Sequence, residues 1–183
     1  MAASEGSVFL ETDQLIFRSH ESRDETAFIA MQTDPEVRRY VGGRAWAADE
    51  AVERFRRQYL GKPRQRYGLW ATVVKAENQY VGFCGLAGSR DSAHLGYYLA
   101  RPYWARGLAS EAARAFVDVG FGKFGLAIIR ADVERGNLRS ERILESLGFV
   151  FAREETLASG RIIDHYELLN SISPVPISAS PSM

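Results

Sequence analysis

Residues 97–113 read Tyr-Tyr-Leu-Ala-Arg-Pro-Tyr-Trp-Ala-Arg-Gly-Leu-Ala-Ser-Glu-Ala-Ala, and no other stretch limits the fold as tightly. An apolar run ends at Leu99, Pro102 withdraws a ladder donor, and the small residues Ala105, Gly107 and Ala109 lead into helical spacing. The pattern predicts a strand, a tight turn and a helix N-terminus. A helix start leaves backbone N–H groups without intrahelical partners and carries about half a positive charge. It therefore suits a phosphate-bearing ligand, and Gly107 and Ala109 allow close approach. Gly-rich turns before helices are common and most bind nothing. This one is set apart by a second stretch, residues 137–149, which reads Asn-Leu-Arg-Ser-Glu-Arg-Ile-Leu-Glu-Ser-Leu-Gly-Phe. There Asn137 and Ser140 stand three apart at a predicted helix start, and Gly148 closes the helix.

Around these two stretches the chain alternates between strand and helix patterns. Residues 1–8 are small and polar and are expected to be loose, and residues 14–19 carry the β-branched and aromatic content of a strand. Ser22 followed by Glu25 suggests a capping box for a helix whose apolar face holds Ala27, Phe28 and Met31, ended by Asp34-Pro35. A second helix is predicted over 48–60, with Val52, Phe55 and Tyr59 at helical spacing and Gly61 after it. Strands predicted over 67–75, 79–87 and 93–99 are joined by short turns, Glu77-Asn78 and 88–91, and so form antiparallel neighbours. A helix over 108–123 places Leu108, Ala112, Phe116 and Val119 on one face. A strand over 127–133, a helix over 138–147 and strands near 149–155 and 162–169 complete the order. The unit from 93 to 133 is expected to be a parallel, right-handed β-helix-β crossover. Residues 171–183 hold three prolines and five serines without a charge or an aromatic, which predicts a disordered tail. The expected organisation is a flexible 1–9, one domain over 10–170 and the tail.

Several function classes are excluded by composition. Lys+Arg and Asp+Glu are equal at 23 each, so a nucleic-acid partner lacks its electrostatic motive. The single cysteine, Cys84, lies in an apolar run. It reads as a small buried hydrophobe in a chain from a reducing compartment. His20, His94 and His165 are scattered without metal-ligand spacing, so no metal site is expected. No run of 18 apolar residues suits a membrane span, and the opening Met-Ala-Ala-Ser-Glu-Gly lacks signal-peptide features. A cytoplasmic protein without membrane contact is expected. A nucleotide-dependent enzyme fails because no Gly-Lys-Ser/Thr follows a Gly-rich loop, and Gly82, Gly85 and Gly88 are wrongly spaced for the dinucleotide fingerprint.

The motifs and their order resemble the GNAT superfamily of acyl-CoA-dependent N-acetyltransferases, and within it the branch of ribosomal-protein N-terminal (alanine/serine) acetyltransferases. The segments that carry the resemblance are residues 10–18 (Leu-Glu-Thr-Asp-Gln-Leu-Ile-Phe-Arg), 34–37 (Asp-Pro-Glu-Val), 96–99 (Gly-Tyr-Tyr-Leu), 104–112 and 137–149. It covers about residues 10–169. It implies an α/β (α+β) fold, a mixed, mostly antiparallel sheet of six to seven strands flanked by about four helices. The fourth and fifth strands splay, with acetyl-CoA in the gap. The superfamily's pyrophosphate turn runs Arg or Gln, two residues, Gly, one residue, Gly or Ala. Here that frame falls on Trp104, Gly107 and Ala109, so its first position departs, and Ala105 stands where the branch commonly has Gly. The resemblance places the pyrophosphate on backbone N–H groups around Arg106, Gly107, Leu108, Ala109 and Ser110. It lays the pantetheine and acetyl carbonyl along the backbone of Tyr98 and Leu99, and puts Asn137 on the pantetheine arm and Ser140 near the sulfur. Asn137 is equally a good helix N-cap.

The implied activity is transfer of an acetyl group from acetyl-CoA to a primary amine, a protein N-terminus or a small molecule, by direct attack in a ternary complex. A catalytically silent CoA-binding module is the other class considered. Only a neutral amine attacks a thioester, so a base is needed. Glu134 is the first candidate, Glu155 and Asp164 the next, and each could equally be a solvated carboxylate. The leaving thiolate needs a donor, with Ser140 first and Tyr97 or Tyr98 second, although tyrosines in an apolar strand also serve as core. Arg38, Arg39 and Arg44, with Tyr40 and Trp46, form either a solvated loop or a lip facing the acceptor. Monomer and homodimer stay open.

Overall fold

The near-continuous apolar runs of residues 68–74 and 79–87 suit strands covered on both faces, and they become the centre of an eight-stranded sheet. The structure is a computed structural model describing residues 7–61, 67–90 and 93–170. The strands are β1 (Val8–Glu11), β2 (Leu15–Arg18), β3 (Gly68–Val74), β4 (Gln79–Ala87), β5 (His94–Leu99), β6 (Ile128–Glu134), β7 (Val150–Thr156) and β8 (Ile162–Leu169). Their spatial order is β1-β2-β3-β4-β5-β6-β8-β7. Every pairing among the described residues is antiparallel except β5 with β6. The helices are α1 (Glu25–Gln32), α2 (Pro35–Arg38), α3 (Ala48–Arg54), α4 (Leu108–Asp118) and α5 (Leu138–Ser146).

The sheet has one strand more than the six to seven the resemblance implies. Val8–Glu11, whose first residue falls in the stretch expected to be loose, folds back on β2 as an antiparallel hairpin. Phe9 stacks on Trp70 at 4.2 Å between ring centroids, an apolar contact that holds this strand down. The strands expected to splay are consequently the fifth and sixth. Two predicted helices end early: α3 and α4 stop at Arg54 and Asp118 and continue as π-helical turns over Phe55–Tyr59 and Val119–Lys123. The capping box also sits one residue before its expected place. Glu21 and Asp24 form it, because Asp24 is anchored by a bidentate pair with buried Arg18 at 2.7 Å to each oxygen.

Two apolar cores lie on opposite faces of the sheet. On one face α4 and α5 bury Leu108, Ala112, Phe116 and Leu144 against Phe17, Trp70, Leu86 and Ile129. On the other, α1 and the π-helical turn that continues α3 bury Phe28, Met31 and Phe55 against Tyr80 and Phe83. Each fully buried aromatic contributes on the order of 2 kcal/mol. Cys84 is fully buried in the first core, and that burial pushes its thiol pKa up. At the far edge β7 is exposed along its length, with Arg153, Glu154 and Glu155 discouraging edge pairing. Residues 1–6 and 171–183, and Asp91 at the end of the predicted 88–91 turn, lie outside the described residues. No helix among the described residues is long and apolar enough to cross a membrane.

Glu111 in the first turn of α4 ties the helix to the β1–β2 turn. It accepts from Thr12 Oγ1 at 2.5 Å, the Gln14 backbone N–H at 2.8 Å and Gln14 Nε2 at 2.7 Å. Burial works to raise its pKa, but the bonds from Thr12 and Gln14 outweigh it and the carboxyl sits below its ordinary value. A depressed carboxyl contributes stability above its unfolded pKa, about 4.3, and loses it as pH falls through the folded value. Glu111→Gln is therefore expected to cost about 1–3 kcal/mol at neutral pH, with the difference from wild type shrinking in acid. Urea unfolding at neutral pH and near pH 3 measures this. A difference that does not change with pH would show that the charge is irrelevant.

Candidate functional site

The site begins with a ladder that stops after one rung. β5 and β6 run parallel and pair only at His94 with Arg130, where Arg130 N–H donates to Ala93 O at 2.9 Å. Beyond that point the strands part, and a cleft of about 730 Å³ opens between them, lined by residues 95–99 of β5 and 131–134 of β6. In an antiparallel pair, backbone groups point alternately toward and away from the partner. Ala100 N–H donates to Val81 O at 2.8 Å, and the Tyr98 carbonyl oxygen is 1.9 Å from where a Cβ on Gly82 would stand, so this parity faces β4. Tyr97 and Leu99, of the opposite parity, turn their backbone groups into the cleft. The resemblance assigned the strand contact to Tyr98 and Leu99. Tyr98 is corrected to Tyr97, because the β4 ladder holds Tyr98's own backbone groups.

At the end of β5 the chain turns sharply through Arg101–Tyr103 into α4. Trp104 directs its indole N–H to the Leu99 carbonyl at 2.7 Å, folding the turn back on the strand. Ala105 at φ 58° and Gly107 at φ 79° are both left-handed. Gly107 is the N-cap and supplies no side-chain cap, so the N–H groups of Leu108, Ala109 and Ser110 are left for whatever enters the cleft, whose lining includes all three residues. Arg106 turns its side chain outward to Glu77 at 2.9 Å, and Glu77 also accepts from Tyr103 Oη at 3.1 Å. That pair fixes the turn to the β3–β4 connection. Arg139 stacks on Trp104 at 4.9 Å, and with Arg142 it adds positive charge to the cleft wall.

Across the cleft, α5 begins as the sequence predicts. Asn137 caps it, its side chain accepting from Ser140 N–H at 3.4 Å. Ser140 lines the cleft. Tyr97, second choice as thiolate donor, donates its hydroxyl to the Ser140 carbonyl at 3.3 Å, and burial pushes its pKa up. It supports the start of α5 and does not offer a free acid.

The acceptor lip departs from expectation. Arg38 is buried, donates to Gln32 and the Arg44 carbonyl, and stacks at 4.4 Å on Trp46, whose ring is flanked at 4.5 Å by Arg54. Arg38 and Trp46 thus pack beneath the lip, while Glu36, Arg39 and Tyr40 line the cleft. Arg44 pairs with Glu50 on the surface. A helix as short as α2 presents alternate sides within one turn, which a loop reading of 37–46 could not resolve.

Three candidate bases are now placed. Glu134 lines the cleft, but both its oxygens accept from Arg161, Nε at 2.8 Å and Nη2 closer. Each oxygen is thereby tied to an arginine donor. Asp164 is buried, paired with Arg135, and not among the residues that line the cleft. Glu155 meets His165 Nε2 at 3.2 Å and Arg153 at 3.4 Å. A fourth carboxylate was not singled out in the sequence. Asp132 on β6 lines the cleft and joins two of the scattered histidines, His165 Nδ1 at 2.7 Å and His94 Nδ1 at 3.2 Å. The alternation of Arg130, Asp132 and Glu134 along β6 was the available signal that they share a face. Among the described residues no group of His, Cys, Asp and Glu is arranged to hold a metal ion.

A family model described as an acetyltransferase (GNAT) domain matches residues 14–150. The uncharacterized N-acetyltransferase p20 of Bacillus licheniformis is 30% identical over 167 residues, spanning 86% of this chain and 92% of that protein. The structure of spermidine N-acetyltransferase from Vibrio cholerae in complex with CoA and spermine matches with TM-score 0.72 at 17% identity, over 87% of this chain and 98% of that one. Ribosomal-protein-S5-alanine acetyltransferase from Vibrio fischeri matches at 0.70 and 18% identity, over 92% and 100%. These two structures share their fold with this chain, and their names give two different acceptors.

A left-handed alanine costs about 1 kcal/mol relative to glycine, so Ala105→Gly is expected to stabilise the fold by roughly that amount less the extra unfolded-state freedom of glycine. Thermal unfolding checks this, and a lower Tm for the variant would refute the strain at the turn.

Proposed function

The chain belongs to the GNAT acetyltransferase family, and we propose that its β5–β6 cleft holds acetyl-CoA and passes the acetyl group straight to a primary amine in a ternary complex. The observation that carries this is the broken parallel ladder beside an uncapped helix start. Open N–H groups on Leu99, Tyr97 and the first turn of α4 line one continuous cleft. These residues fit the donor. The N–H groups of Leu108, Ala109 and Ser110, with Arg139 and Arg142, would hold its diphosphate. Tyr97 and Leu99 would hold the pantetheine amides and carbonyl, and Asn137 would stay the cap that orients Ser140. Acetyl-CoA supplies the thioester from which the acyl group is transferred.

The chain's own groups then have separate tasks. The Tyr97 amide N–H, directed into the gap, would stabilise the negative charge that develops on the acetyl oxygen. The Ser140 hydroxyl, which lines the cleft on the α5 side, would donate to the departing sulfur. Glu36, Arg39 and Tyr40 receive the acceptor on the other side. Direct attack is favoured over a covalent acyl-enzyme because the one thiol, Cys84, is buried in the core with its pKa raised, where it is neither ionised nor reachable.

Calorimetry with acetyl-CoA, together with thiol release over a panel of N-terminal peptides, polyamines and amino acids, tests this reading. Absence of acetyl-CoA binding would overturn it. Initial-rate plots are expected to intersect, and parallel lines would point to an acyl-enzyme. Cys84→Ala is expected to keep kcat while costing about 1–3 kcal/mol of stability through the cavity it leaves. Tyr40→Ala is expected to raise KM for the amine without moving the acetyl-CoA Kd, and a change in that Kd instead would remove Tyr40 from the acceptor side.

A further inference from the structure

The cleft contains a proton path that the acetyl-transfer reading leaves unassigned. An acceptor nitrogen arrives as an ammonium with three protons and leaves as an amide with one. One proton goes to the departing sulfur, and the other must reach solvent. The carboxylate that receives it has to face the cleft and keep a partner able to pass the proton on.

Arginine only donates hydrogen bonds and does not give up its charge, whereas imidazole both donates and accepts. That difference separates the carboxylates here. Glu134 is held by Arg161, Asp164 by Arg135, and Glu155 has Arg153 beside it. Among the described residues, the charged or ionisable partners of Asp132 are two imidazoles, one on each oxygen. Its place along the cleft also fits. Counting on two positions from the pair His94–Arg130, Asp132 falls opposite Gly96, on the face that His94 shares and beyond the last rung of the ladder. Glycine there adds no side chain across from the carboxylate. The side chains of Asp132 and Tyr98 share the face of the sheet that α1 and α3 cover, the face of the acceptor lip.

We propose that Asp132 is the group that accepts the acceptor's proton, that His165 holds its carboxylate in position, and that His94 carries the proton to solvent. Exposure divides the two imidazoles. The His94 side chain is 39% exposed and bridges the diverging strands, while that of His165 is 17% exposed and anchored on both nitrogens, by Asp132 and by Glu155. The Asp132 oxygen bonded to His94 takes the proton from the ammonium, directly or through one water. It returns to the carboxylate form as the proton passes by His94 to bulk solvent, while the freed nitrogen lone pair forms the N–C bond as the C–S bond breaks. The other titratable or charged groups that face this group are the neutral Tyr98 on β5, with Arg38 behind it, the Arg130–Glu167 pair, and the Glu134–Arg161 pair. The last two are internally compensated.

This inference rests on the acetyl-transfer reading, and its test separates the two. Asp132→Asn keeps the shape and the bond from His165 but cannot take a proton. Expected results are unchanged acetyl-CoA binding by calorimetry, an unchanged Tm, and kcat/KM at neutral pH about 10²-fold lower. The deficit shrinks as pH rises, because free amine then enters without help. Formate is expected to restore part of the rate to Asp132→Ala, and added imidazole part of the smaller loss in His94→Gln. A wild-type pH profile in Asp132→Asn, or an equal loss at every pH without formate rescue, would overturn the relay while leaving the transfer activity in place. Failure of the wild-type protein to acetylate any amine would overturn the transfer reading itself.

Discussion

The refusal of β5 and β6 to pair beyond one rung is the constraint on which everything else rests. Two parallel strands that part leave backbone donors and acceptors unmatched, and buried unmatched groups are costly. The chain tolerates this because the two sides of the gap are held independently. β5 is zipped to β4 along its whole length, and β6 to β8 along its own. With each wall carried by a separate antiparallel ladder, the gap needs no contact across it, and Tyr97 and Leu99 can keep their amides for a ligand.

The turn that follows extends the same device. Trp104 satisfies the Leu99 carbonyl, Arg106 and Tyr103 fasten the turn to Glu77, and Glu111 fastens α4 to the first hairpin. The N-cap is a glycine and the acidic side chain of the first turn, Glu111, is engaged with the hairpin, which leaves the helix start open as well. Beyond the helix the charged groups of β6 divide by partner. Arg130 with Glu167 and Glu134 with Arg161 hold the framework, and Asp132, matched to two histidines, is the group proposed to exchange a proton.

Much of the fold is legible in the residues themselves. Strand and helix positions follow from periodicity and from Gly and Pro, and the N-cap at Asn137 from a three-residue spacing. The π-helical ends of α3 and α4 are not legible, since their apolar spacing differs little from that of a helix. Nor is the capping box at Glu21, where Arg18 at the end of β2 anchors Asp24 and overrides the pattern around Ser22. The site divides the same way. Its turn-and-helix part, proposed to hold phosphate, is contiguous in sequence and readable there, whereas Arg38 and Trp46, which read as either solvated loop or lip, turn out to be stacked beneath it.

What the sequence determines alone is whatever lies within one element or its turn: the strand-turn-helix at 97–113, the cap at 137, the apolar identity of Cys84. What only tertiary structure decides is who meets whom across strands. His94, Asp132 and His165 are separated by 38 and 33 positions, a distance over which no local period speaks. They meet because β5, β6 and β8 lie side by side with matching alternation. Pairing register sets the face on which each side chain stands, and register is a property of two strands together.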